Sequence, residues 1–216
     1  EAVCKKDRRL PGGAQGGNGG QVEISASQMG AIQSAINGRA QSGYVGGKLN
    51  IDPYDLSLDY AYVSSLNNQI SGGLSQISLQ ADHNIELSAA WNLADLTSAG
   101  TLSLTAGNSI ILDDLSAIIA GNSWNVALTA GAALPVGTSP VAGMDGIYLN
   151  GNAYIQTKDG GVNLSAANEV IVNSGAVRTI GGGNINVTTL YSDLKTGTST
   201  SWFFYLENAP YFTPYN

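Results

Sequence analysis

Apolar and polar residues alternate in short runs that come back along the chain. In "SLQADHNIEL" the apolar positions are Leu79, Ala81, Ile85 and Leu87. In "SLTAGNSIIL" they are Leu104, Ala106, Ile110 and Leu112, and in "NLSAANEVIV" they are Leu164, Ala166, Val170 and Val172. A period of two marks strands with one buried face, so each run reads as two short strands joined at a corner of Gly, Asn, Asp or Ala. Leu128 and Ala130 open a further copy, which Ile147 and Leu149 complete after the insertion "AALPVGTSPVAGMD"; Ile185 and Val187 open another. Upstream the pattern weakens but continues at Val22 and Ile24, then at Leu49, Ile51, Leu56 and Leu58.

A third apolar touch follows the doublets at Ile118, Ile155 and Val177. It precedes "AGN", "DGG" or "GGG", where a sharp turn needs the freedom of glycine. Three short strands and a turn, returning every 21 to 28 residues where no insertion intervenes, describe one coil of a parallel β-helix. An antiparallel β-sandwich also alternates and turns often. It gives no reason for the same residue class to return at nearly constant spacing, whereas in a solenoid each position stacks on its counterpart in the next rung. The expected fold is therefore an all-β parallel β-helix of about six rungs, a rod on the order of 30 Å long. Its expected core stack is Leu79, Leu104, Leu128 and Leu164 in one column and Ile85, Ile110 and Val170 in another.

Two segments break the beat near the N-terminal end. "SQMGAIQSAINGRAQSGY", with Met29, Ile32 and Ile36, and "YAYVSSLNNQISGG", with Val63, Leu66 and Ile70, have helix-like spacing. They read as short helices or irregular loops laid over the start of the coil, protecting an open end from strand pairing. Residues 1–20 read as a glycine-rich arm or linker, 21–190 as the β-helix, and 191–216 as an aromatic cap or interface segment.

Composition narrows the class. Of 216 residues only 12% are charged and 28 are glycine, so Ser, Thr, Asn, Gln and Gly cover most of the surface, as in extracellular β-proteins. Net charge is −7, and four of the nine basic residues, Lys5, Lys6, Arg8 and Arg9, lie in the arm. An acidic body argues against a nucleic-acid partner. Cys4 is the single cysteine, so no internal disulfide forms. No run of eighteen apolar residues predicts a membrane-spanning helix. "EAVCKKDRRL" has no apolar core of a signal peptide, which fits a trimmed mature chain or an excerpt of a longer one.

"KLNIDPYDLSL", "AGTLSLTAGNSIIL", "SWNVALTAG", "GIYLNG", "GAVRTIGGGNINV" and "APYFTPYN" together resemble the repeat regions of filamentous-haemagglutinin-like bacterial surface proteins, over about residues 20–216. The resemblance implies a right-handed parallel β-helix, export to the cell surface, and a role in adhesion or surface scaffolding. The secretion domain that the family carries at its amino end is not seen in this sequence.

Parallel β-helices also carry polysaccharide-cleaving sites, so the carboxylates matter. Asp113 and Asp114 are adjacent and would point to opposite faces of a strand unless the chain turns there. Asp82 and Asp95 flank a rung, and Asp145 and Asp159 lie at turns; this scatter suits solvated corners better than a two-carboxyl cleft or a calcium site. His83, the single histidine, falls in the turn column occupied elsewhere by Asn108 and Asn168, and no nucleophile motif accompanies it. Arg178 is expected to point outward from its strand. "GGGN" at 181–184 has no helix after it, so a phosphate loop is not expected.

The carboxyl end concentrates Trp202, Phe203, Phe204, Tyr205, Tyr211, Phe212 and Tyr215 in "SWFFYLENAPYFTPY". These aromatics suit a cap over the core end, an interface, or a glycan-stacking surface. The expectation is thus a non-enzymatic extracellular or cell-surface β-solenoid with no catalytic, metal or cofactor residues. Its partners are copies of itself meeting head to tail, neighbouring domains, or surface glycans. The alternative is a β-helix that binds or cleaves polysaccharide.

Overall fold

The computed structural model describes residues 3–6, 16–94, 99–121 and 123–197. The chain winds into about seven stacked coils. Strand β1 (Val3–Lys6) comes from the arm and β2 (Gln21–Ser25) opens the first coil. The second coil holds β3 (Gly47–Asp52), β4 (Leu56–Leu58) and helix α1 (Tyr60–Ser71). The third holds β5 (Leu74–Ala81), β6 (Ile85–Leu87) and β7 (Ala90–Asn92); the fourth holds β8 (Gly100–Ala106), β9 (Ile110–Leu112) and β10 (Ala117–Ala120). The fifth holds β11 (Trp124–Ala130), β12 (Ile147–Leu149) and β13 (Tyr154–Thr157). The sixth holds β14 (Val162–Ala166), β15 (Val170–Val172) and β16 (Ala176–Thr179), and β17 (Ile185–Thr189) with β18 (Leu194–Thr196) form the last.

Three sheets result, because each corner occurs at the same place in successive coils. The largest runs β1-β2-β3-β5-β8-β11-β14-β17, the second β4-β6-β9-β12-β15-β18, and the third β7-β10-β13-β16. Every pairing is parallel except β1 on β2. The fold is the expected β-solenoid, with seven turns where six were expected: the weak "QVEIS" signal makes a coil of its own, in register with β3 from Gln21↔Lys48 to Ser25↔Asp52.

Stacking places like upon like. Leu79, Leu104, Leu128 and Leu164 pair in turn across β5, β8, β11 and β14, and Val187 of β17 follows. Ile85, Ile110, Ile147 and Val170 form the matching column of the second sheet, and Trp91, Ile118, Ile155 and Val177 that of the third. These side chains are buried, apart from Val187 in the last coil, which is half-buried. Trp124 lies in the core beside Gly100 of the preceding coil, where a Cβ would stand 2.7 Å from the indole ring, so glycine makes room for the tryptophan.

Of the two segments with helical spacing, 60–71 is α1 and the first is irregular. α1 stands where the third strand of the second coil would be, buries Val63, Leu66 and Ile70, and lies beside β7, the edge strand of the third sheet. Asp59 caps it by accepting from the N–H of Tyr62 at 2.8 Å. The stretch before β3 has no internal ladder because two helix side chains supply its partners. Ser65 Oγ accepts from Ile32 N at 3.2 Å; Gln69 Oε1 accepts from Ile36 N at 2.8 Å while its Nε2 donates to Ser34 O at 3.0 Å. Met29, Ile32 and Ile36 pack on the core from there.

Candidate functional site

With the interior filled by stacked side chains, any working surface lies on the corners, the outward columns or the loops. The corner between the first and second sheets carries a chain of polar contacts through successive coils. His83 Nδ1 lies 2.9 Å from Asp55 Oδ1, which also accepts from Asn84 N at 3.0 Å. Asn84 Oδ1 in turn accepts from Asn108 Nδ2 at 2.9 Å and from Ser109 N at 3.0 Å. Asn108 Nδ2 is also 3.4 Å from His83 Nε2, and Asn84 Nδ2 is 3.1 Å from His83 Nδ1, so both ring nitrogens have polar neighbours in the corner. Tyr54 stacks on the imidazole at 5.4 Å.

Further along the same corner the asparagines hold the insertion at residues 131–146. Asn108 O accepts from Gly131 N at 2.7 Å and Asn108 Oδ1 from Asp145 N at 3.0 Å, so one residue grips both ends of the loop. From the next coil Asn168, buried, donates through Nδ2 to Val141 O at 3.0 Å and Met144 O at 2.9 Å. The loop has no charged residue between Ala132 and Met144 and exposes Val136, Val141 and Met144. The turn column that links His83, Asn108 and Asn168 thus anchors a surface loop.

The carboxylates are distributed as follows. Asp113 and Asp114 separate at a turn that places Leu115 in the left-handed region at φ 64°. Asp114 accepts from Asn152 N at 2.7 Å, in the next coil. Asp113 instead meets Glu86, and burial, followed by the charge of Asp113 and a hydrogen bond with it, raises the Glu86 pKa. This pair spans two coils, and the 25-residue offset that aligns Glu86 with Ile111 already puts Asp113 within reach. A second acidic group lies on the outer side of the first sheet, where burial, then Asp82 and Glu23, raise the pKa of Asp52. Asp145 is at φ 58° in the loop clamp, Asp159 is exposed at a turn, and Asp95 lies outside the described residues.

On the second sheet Lys195 forms an ion pair with the buried carboxylate of Glu169. Burial, then Glu169 and Asp145, push the Tyr148 phenol up to about 12. On the third sheet Arg178 points outward: its Nε donates to Gln156 Oε1 at 2.7 Å and its guanidinium lies 5.4 Å from the Tyr154 ring centre. "GGGN" leads into β17, a strand. The outward positions of β5, β8, β11, β14 and β17 carry only Ser, Thr, Asn, Gln and Ala, an uncharged face.

Among the described residues no three of His, Cys, Asp and Glu gather so as to hold a metal ion. Nor among them is any helix long and apolar enough to cross a membrane. Trp202, Phe203, Phe204, Tyr205, Tyr211 and Phe212 lie outside the described residues. No protein-family model matches the chain, and no curated protein or solved structure matches it either.

Proposed function

We propose that the chain is a structural, non-enzymatic β-solenoid, a building segment of a bacterial surface adhesin or filament that acts outside the cell. The observation that carries this reading is the parallel ladder from β2 to β17, shifted in register once at Gly47/Lys48, over a core of stacked Leu, Ile, Val and Ala. Such a ladder makes each coil a structural unit braced by its neighbours, which gives stiffness along one axis. The low charge of the outer face and the clamped loop at 131–146 support contact over reaction: the loop offers Val136 and Val141 on a base held by Asn108 and Asn168. The resemblance to filamentous-haemagglutinin-like repeats points the same way.

In this reading copies meet head to tail, with the aromatic segment of one chain against the N-terminal end of the next. That contact is heterologous and propagates instead of closing. Negative-stain electron microscopy of the purified chain tests it. Rods or fibres longer than the single coil stack of about 30 Å are expected. Replacing Trp202, Phe203 and Phe204 by Ser should return isolated particles with unchanged circular dichroism. Isolated particles from the intact chain, or polysaccharide turnover that is lost in Asp113→Asn, would reject the reading.

A further inference from the structure

The chain contains three Asn-Gly pairs, Asn18–Gly19, Asn37–Gly38 and Asn150–Gly151. Such a pair can react with itself. The glycine backbone nitrogen attacks the asparagine Cγ, a C–N bond forms, the Cγ–Nδ2 bond breaks, and ammonia leaves with the proton of the attacking N–H. Water then opens the cyclic imide to aspartate or isoaspartate. Three conditions favour the reaction: a side chain able to swing onto its own backbone, an N–H not held elsewhere, and no Cβ on the following residue.

The fold treats the three pairs differently. Asn18 and Asn37 are exposed, yet both halves of each pair are tied. Asn18 Oδ1 accepts from Val45 N at 3.0 Å and Gly19 N donates to Val45 O at 2.8 Å. Asn37 Oδ1 accepts from Arg39 N at 3.1 Å and Gly38 N donates to Gly72 O at 3.1 Å. Attack at either site must first break both bonds and move a buried glycine. Asn150 is half-buried, but among the described residues neither its side chain nor the N–H of Gly151 has a hydrogen-bond partner. Asp114 grips the next amide along, that of Asn152. Glycine is required at 151, since φ is 52° and a Cβ there would stand 2.1 Å from Asp114 Oδ1.

We propose that Asn150 is a site of spontaneous imide formation in the folded protein, and that the two more exposed asparagines are protected by their hydrogen bonds. The product has structural weight. A new carboxylate would arise next to the residue that faces Asp114, and isoaspartate would lengthen the backbone by one carbon at a corner tying three coils. Asn150 N donates to Leu112 O at 2.8 Å, and Gly151 O accepts from Ser174 N at 2.8 Å. The corner would act as an irreversible marker of the age of an assembled chain.

The test ages the full chain at mildly alkaline pH, folded and in urea, and follows each Asn-Gly peptide by mass spectrometry with isoaspartate detection. The folded-to-urea rate ratio cancels intrinsic differences between sites. It is expected to be at least about tenfold larger for Asn150 than for Asn18 or Asn37, which each lose two hydrogen bonds before reacting. Asn150→Ser should abolish the main acidic variant that accumulates on native isoelectric focusing. A ratio for Asn150 no larger than the others, or an unchanged acidic variant in Asn150→Ser, overturns the proposal.

Discussion

A single residue in this protein matters according to the column it occupies. Leu104 has Leu79 on one side and Leu128 on the other and is fully buried, so Leu104→Ala leaves a cavity bounded by fixed rungs and should cost about 3 kcal/mol. Asn108→Ser loses the grip on Asp145 N and Asn84 Oδ1 but no packing, and should cost about 1–2 kcal/mol. Thermal or urea unfolding ranks the two, and equal losses would contradict the stacked register. The carboxylates of Asp52 and Glu86 set a pH dependence. Both pKa values are raised in the folded state, burial being the first cause, so above their ordinary values of 3.8 and 4.5 the folded chain holds more protons than the unfolded one. Stability is therefore greatest at the low end of that window and falls as pH rises through the raised values. Glu86→Gln and Asp52→Asn should each flatten this fall, as read from melting temperature between about pH 4 and 6. A wild-type melting temperature that instead rose across the window through these groups would be the wrong sign.

At the scale of elements, α1 decides how the third sheet begins. Without it β7 would present an unpaired edge, a template for another strand. The helix is joined to that edge by Asn67, whose Oδ1 accepts from Trp91 Nε1 at 2.9 Å and whose Nδ2 donates to Asn92 O at 3.1 Å. Asn67→Ala leaves a buried indole N–H without its partner and should cost about 1–3 kcal/mol. It should also raise the tendency to aggregate near the melting temperature, measurable by light scattering during a thermal ramp. Loss of stability without that aggregation would mean that the helix packs on the sheet but does not guard its edge.

At the scale of the whole molecule, the N-terminal end is already occupied. β1 lies antiparallel on β2 and covers the edge that β2 would otherwise leave unpaired. End-to-end growth through the first sheet must displace it. Deleting residues 1–15 should therefore uncover β2 and lengthen the head-to-tail assemblies proposed for the intact chain, giving larger, concentration-dependent species by light scattering. Unchanged assembly after the deletion would place the controlling contact elsewhere.

The period-two alternation and the return of Leu, Ile and Ala at nearly constant spacing determined the strands, the corners and the identity of the core columns by themselves. In a solenoid neighbours in space are neighbours in the repeat, so sequence spacing encodes contact directly. Apolar spacing marked both 60–71 and 27–44 as short helices or irregular loops, and only the fold decided between them: 60–71 is α1, whereas the backbone at 27–44 is satisfied by Ser65 and Gln69 of another element, which no local pattern records. The grip of Asn108 and Asn168 on the loop, and the difference between the exposed but tied Asn18 and the half-buried Asn150, whose side chain has no partner among the described residues, were decided by tertiary structure alone. Each depends on where side-chain and backbone polar groups meet across coils, to a precision of a few tenths of an ångström that a repeat in residue type does not specify.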